Sequence, residues 1–129
     1  MKRRKNQTES SFRKLVWSEM SEYVRQKYAD YRGYVSCYTC GVKKNWKEMD
    51  AGHFRHIDAL DFTLDAIRPQ CTRCNRNLSG NLGVFAVKLI KEIGLERVEA
   101  LQKVNVKRFG MPELRKIREW IKTLYDIPK

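Results

Sequence analysis

The residues best suited to chemistry are four cysteines, arranged as Cys37-Tyr-Thr-Cys40 and Cys71-Thr-Arg-Cys74 with thirty residues between the pairs. Two residues between thiolates let the backbone fold tightly while both sulfurs face one ion, and two such knuckles complete a tetrahedron. Gly41 follows the first pair and relieves its turn. A thioredoxin-like redox pair would be expected once, at a helix start in a βαβ pattern, and the chain offers no such pattern. Four unrelated buried cysteines are the other alternative. The spacing favours one structural Zn²⁺, which fills its own shell and so supports the fold rather than performing chemistry.

Both histidines lie between the knuckles, in Asp50-Ala-Gly-His-Phe-Arg-His56. A zinc shell that clamps a hairpin to a helix, with a histidine at the end of a strand and a polar residue at the helix start, resembles the HNH, or His-Me finger, nucleases. Within that superfamily, Asp50-Ala-Gly-His-Phe54, Gln70-Cys-Thr-Arg-Cys-Asn75 and Ser79-Gly-Asn-Leu82 resemble the NinG (Rap) recombination proteins of lambdoid phages. The likeness runs over roughly residues 33 to 126. Phage endonuclease VII is similar in having two Cys-x-x-Cys knuckles and an asparagine after the last cysteine.

The resemblance implies a structure-specific endonuclease acting on branched DNA such as Holliday junctions and D-loops. It makes His53 the general base, a task suited to a neutral imidazole. It makes Asp50 and Asn75 oxygen ligands of a catalytic Mg²⁺ or Mn²⁺. Arg55, His56, Arg68, Arg73 and Arg76 then become DNA-phosphate contacts. The chain departs from the pattern at Gly52, where many HNH enzymes carry an acidic ligand. Ala66 falls where the middle asparagine stands, with Asp65 beside it as a possible substitute, and Asn77 falls where a histidine is common. Read without the resemblance, His53 and His56 are packing residues, Asp50 caps a turn and Asn75 caps a helix.

These residues need elements to hold them. Phe12, Leu15, Val16, Met20, Tyr23, Val24, Tyr28 and Tyr31 recur at three- and four-residue steps, which predicts a helix over 11–32 ended by Gly33. Its aromatic stripe reads as core packing in preference to a base-stacking platform. A turn over 34–45 holds the first knuckle, a strand spans 45–54, and a second strand lies around 63–67. A helix opens at 71–77, followed by helices at 84–93, 95–104 and 112–125. The expected fold is α+β and mainly helical, a zinc-stabilised ββα-metal core at 33–80 between an N-terminal helix and C-terminal helices at 81–129. Residues 1–10 read as a basic arm and 11–129 as one domain.

Twenty-seven Lys and Arg against fifteen acidic residues give a formal net charge of +12, spread along the chain. Such a surface suits a polyanion, with binding that weakens steeply in salt. No apolar run is long enough to cross a bilayer and no signal-peptide pattern follows the basic start, so the expected setting is cytoplasmic, that of the bacterial host for a phage protein. DNA is the expected partner, with a homodimer and recombination proteins as possible associates. A zinc-stabilised DNA-binding recombination factor without catalysis is the competing reading. An RNA-binding protein would explain the charge but not the placement of the histidines.

Overall fold

The computed structural model describes residues 8–105 and 108–126; most of the expected basic arm lies outside them. Helix α1 spans Glu9–Lys27, with the Thr8 side chain accepting from the Ser11 N–H and Glu9 placed in the first turn. Phe12, Val16, Met20 and Val24 recur every fourth residue and are all buried, so one stripe of the helix meets the core. The helix ends five residues before the sequence predicts. Asp30 accepts hydrogen bonds from the backbone of Arg32 and Tyr34, at 2.9 and 3.0 Å, and closes a turn. Gly33 sits in that turn at φ +84°, not at a helix end.

Two antiparallel hairpins follow. Strands β1 (Tyr34–Ser36) and β2 (Lys43–Asn45) pair with Val35 opposite Lys44 and carry the first knuckle at their tip. Strands β3 (Asp50–His53) and β4 (Ile67–Gln70) pair with Asp50 opposite Gln70 and His53 opposite Ile67. The single strand predicted over 45–54 is thus divided by a 3-10 turn at Trp46–Glu48, whose Lys47 N–H is met by the Asn45 side chain. The predicted strand around 63–67 is also displaced. Leu64–Ala66 form a 3-10 turn, and pairing begins only at Ile67.

After the second knuckle the chain makes a π-helical turn at Arg73–Asn77, then α2 (Leu82–Ile93), α3 (Leu95–Lys103) and α4 (Met111–Leu124). The β3–β4 hairpin lies between two apolar layers. Ala51 and Ile67 join α1 and α4 through Val16, Met20, Leu114 and Ile121. Phe54 and Ala66 join α2 and α3 through Phe85, Leu89, Val98 and Leu101. Beneath the knuckles a much smaller cluster holds Val35, Met49 and three of the cysteines.

The hairpin is locked by an unusual approach at Gly52. A Cβ built there would stand 1.8 Å from Gln70 Oε1, so only glycine leaves room for that side chain. Gln70 is fully buried and its Nε2 donates to Thr39 Oγ1 (3.1 Å) and to the Gly80 carbonyl (2.9 Å), tying both knuckles together behind β3. Gly52→Ala is therefore expected to cost about 1–3 kcal/mol in denaturant unfolding. Gln70→Ala in the same chain should recover part of that loss; strict additivity of the two would contradict the coupling.

Candidate functional site

The four sulfurs of Cys37, Cys40, Cys71 and Cys74 lie within 4.8 Å of one another. Cys40 Sγ and Cys71 Sγ are 3.7 Å apart, close to the edge of about 3.8 Å that a tetrahedron of Zn–S bonds of about 2.3 Å requires. The sulfurs are also hydrogen-bonded from outside. Cys40 N–H points to Cys37 Sγ, Cys74 N–H to Cys71 Sγ, and Asn81 Nδ2 to Cys74 Sγ at 3.7 Å. This gives the Ser79-Gly80-Asn81 segment a physical role. Asn81 reaches the sulfur from a left-handed backbone, while Gly80 at φ +92° donates to the Cys74 carbonyl. Burial works to raise the Cys37 thiol, yet hydrogen bonds from Thr39 and the Cys40 N–H outweigh it and bring it down to about 6. Burial and the neighbouring thiols push Cys71 up to about 12. Four crowded thiols cannot all ionise without a cation, so the donor set fits a zinc ion.

The second knuckle carries Asn75 and Arg76 to β3. Asn75 Nδ2 donates to Asp50 Oδ2 at 3.0 Å, and Arg76 grips both Asp50 oxygens at 2.9 and 3.0 Å. These three residues line a polar cleft of about 360 Å³ whose other walls are Trp17, Ser21 and Arg25 of α1 with Lys47, Met49 and Ala51. A carboxylate and a carboxamide meet in this open polar cleft, with the Asn75 amide N–H turned to the Asp50 oxygen. Here the guanidinium of Arg76, itself exposed, supplies the positive charge.

His53 opens elsewhere. Side chains alternate along a strand, so Asp50 and Gly52 face the second knuckle while Ala51 and His53 face α1. The His53 ring stacks on Trp17 with centroids 4.5 Å apart and borders a cleft of about 210 Å³ lined by Arg13, Lys14, Asp61 and Phe62. Trp17 is the wall shared by the two clefts. His53 Nε2 lies 3.3 Å from the Asp61 carbonyl, which can only accept, so the proton sits on Nε2 and the Nδ1 lone pair is left for a base. Burial chiefly, with a contribution from His56, holds the imidazole down at about 4 against the opposing carbonyl. It is neutral at pH 7.

That depression has a consequence for stability. Between the unfolded value of about 6.5 and the folded value of about 4, the unfolded chain binds a proton that the folded chain refuses. Stability should fall as pH drops through this window, by up to about 3 kcal/mol. Urea unfolding of the zinc-loaded chain at pH 7 and pH 5 would measure it, and His53→Gln should shrink the difference; an unchanged difference would contradict the assignment.

The remaining residues predicted to touch DNA separate into two groups. Arg73, Arg76 and His56 are exposed. Arg68 is 3 % exposed and bound to Glu92 at 2.8 Å and to the Leu64 and Ile67 carbonyls, and Arg55 caps α3 through the Leu101, Gln102 and Val104 carbonyls. Both make their described contacts with the fold itself, Arg68 from a buried position and Arg55 from a half-buried one. Ala66 is fully buried and its carbonyl accepts from Phe54 N–H, while Asp65 pairs with Arg97 of α3. The loop between β3 and β4 is thus anchored to α3 as well as to the hairpin. Trp17, Arg25, Lys47, Asp61 and Gln70 all border the clefts or hold β3 in place; the first four carry no motif signal, and Gln70 has one only through its place in Gln70-Cys-Thr-Arg-Cys-Asn75.

Among the described residues no helix is long and apolar enough to cross a membrane. No solved structure matches the chain. The family model described as Bacteriophage Lambda NinG protein matches residues 1–126. Protein ninG of Escherichia phage 933W is 32 % identical over 109 residues, covering 81 % of this chain and 52 % of its own length. Protein ninG of Escherichia phage lambda is 31 % identical over 119 residues, covering 88 % and 56 %. Protein ninG of Salmonella phage P22 is 32 % identical over 92 residues, covering 69 % and 43 %. The chain spans about half the length of these relatives. With its paired knuckles, its Asp50-Ala-Gly-His53 strand and a family match over nearly its whole length, the chain belongs to the NinG family.

Proposed function

We propose that this chain is a divalent-metal-dependent endonuclease that hydrolyses phosphodiester bonds in branched DNA, such as the junctions formed in recombination. The observation that carries the reading is the meeting of Asp50 with Asn75, fixed by the second zinc knuckle, in a cleft that shares the Trp17 wall with His53. Asp50 and Asn75 would hold Mg²⁺ or Mn²⁺, which supplies Lewis-acid stabilisation of charge on the phosphate. His53 would take the proton of the attacking water on Nδ1, which the Asp61 carbonyl leaves free by holding the proton on Nε2, and would have to do so across the Trp17 wall that its cleft shares with Asp50 and Asn75. Arg76 leaves Asp50 for a DNA phosphate, exchanging one anion for another, and Arg73, His56, Arg25 and Lys47 bind neighbouring phosphates. A homodimer would present two such sites to the two strands of a junction, and the bacterial cytoplasm is the expected setting.

A second reading rests on one specific observation. Arg76 occupies both oxygens of Asp50, as it would in a zinc-stabilised DNA-binding factor that has given up its catalytic metal. Labelled four-way junction and linear duplex of matched sequence, incubated with Mg²⁺, Mn²⁺ or EDTA, separate the two. The endonuclease reading expects cutting of the junction in either metal, little of the duplex, and none in EDTA. Binding without cutting in both metals would favour the second reading.

A further inference from the structure

The tyrosines predicted to continue the packed face of α1 do something else. Tyr28 and Tyr31 fall beyond the helix end and are exposed, Tyr31 to 91 %, and Tyr34 at the start of β1 is exposed as well. Tyr28, Tyr34, Tyr38, Lys43 and Pro69 line a groove of about 310 Å³ between the turn after α1 and the first hairpin. Two of its rings are held firmly from behind. The Arg68 guanidinium lies over both Tyr28 and Tyr38, at 5.7 and 5.5 Å from their centroids, and Glu92 binds both Arg68 and the Tyr38 hydroxyl. Arg68 therefore acts here through the rings that it positions.

Cations border the same surface. Lys27 lies over Tyr28, Arg32 over Tyr31, and Lys43 stands at the lip, where it neutralises Asp30 at 3.4 Å. Exposed tyrosine side chains, with Lys and Arg beside them and a net charge of +12 behind them, match a ligand that is flat, apolar on its faces and anionic along its edge, and Tyr34 is the groove tyrosine with no cation over its ring among the described contacts. We propose that this groove stacks an unpaired nucleobase of a single-stranded nucleic acid while the bordering cations hold its adjoining phosphates. The inference rests on the nucleic-acid partner of the preceding reading, but needs neither the catalytic metal nor cleavage. It supplies what the cleft at Asp50 lacks: a way to favour strands with unpaired bases over a continuous duplex.

The test is fluorescence anisotropy of the zinc-loaded chain in EDTA-free, Mg²⁺-free buffer, with labelled dT12 and a twelve-unit abasic strand of equal charge. The groove expects dT12 to bind roughly fivefold tighter or more, since base stacking on an aromatic side chain is a substantial contribution per base. Tyr34→Ala and Tyr28→Leu should each remove much of that advantage and leave the salt dependence unchanged. Tyr34 is an exposed residue whose replacement spares the core, so Tyr34→Ala decides the matter if Tyr28→Leu fails to fold. Equal affinity for dT12 and the abasic strand, or an advantage that survives Tyr34→Ala, would overturn the proposal. A U12 strand run in parallel separates RNA from DNA as the source: tighter binding of U12 would support the groove and assign it to RNA. Junction cleavage without a preference for bases over abasic sites would sink the groove alone, and the reverse result would sink the endonuclease reading alone.

Discussion

Stripping zinc from the four cysteines is expected to unfold the region between α1 and α2 and to abolish any function of the clefts. Structural zinc contributes an apparent binding free energy of about 10–16 kcal/mol at neutral pH, against a whole-domain stability of about 5–15 kcal/mol. The apolar cluster beneath the knuckles consists of little more than Val35, Met49 and the cysteines themselves. Without the ion, crowded thiols would have to share a buried site that already pushes Cys71 to about 12. The hairpin tip, the π-helical turn and the Ser79–Asn81 bend would all lose their common anchor. Metal analysis after dialysis should find about one zinc per chain. Strong chelator should then collapse near-ultraviolet dichroism, and Cys71→Ser should do so without chelator. Iron in place of zinc, or a native spectrum after complete removal, would contradict the account.

Asp50→Ala is expected to give the largest loss at the polar cleft. The variant removes the carboxylate that Asn75 and Arg76 both contact there, and with it the strongest oxygen donor for a divalent ion. Mn²⁺ binding followed by electron paramagnetic resonance should fall by at least about tenfold, in line with the loss of a ligand or its close support. Arg76→Ala should act in the opposite sense, since it removes a cation that competes for the same oxygens. If both variants bind Mn²⁺ as the unaltered chain does, the ion does not sit on Asp50.

Much of the four-cysteine cluster was legible in the sequence, because Cys-x-x-Cys spacing is a local constraint that the fold cannot alter. The partnership of Asp50 with Asn75 was legible only through resemblance, as twenty-five residues separate them and the hairpin brings them together. Helix existence followed from periodicity, but the end of α1 did not. There the Asp30 side chain competes for backbone N–H groups and wins, turning Tyr28, Tyr31 and Tyr34 outward. Arginines could not be ranked from the sequence for a similar reason. Arg68 and Arg76 have the same chemistry, yet one is buried between two tyrosines and the other lies at a cleft mouth. Gly52 looked like a missing ligand, and its reason is steric: Gln70 occupies the space that any side chain at that position would need. The division of Asp50 and His53 between two clefts follows from strand alternation, which the sequence does contain, once β3 is known to run straight from one to the other.

The most direct test of the endonuclease reading is single-turnover cleavage of a labelled four-way junction in Mg²⁺ by the unaltered chain and by His53→Ala. The expected result is equal binding of the junction and a cleavage rate lowered by about 10²–10⁴-fold in the variant, the range for a lost general base. Equal cleavage rates for the two proteins would contradict it.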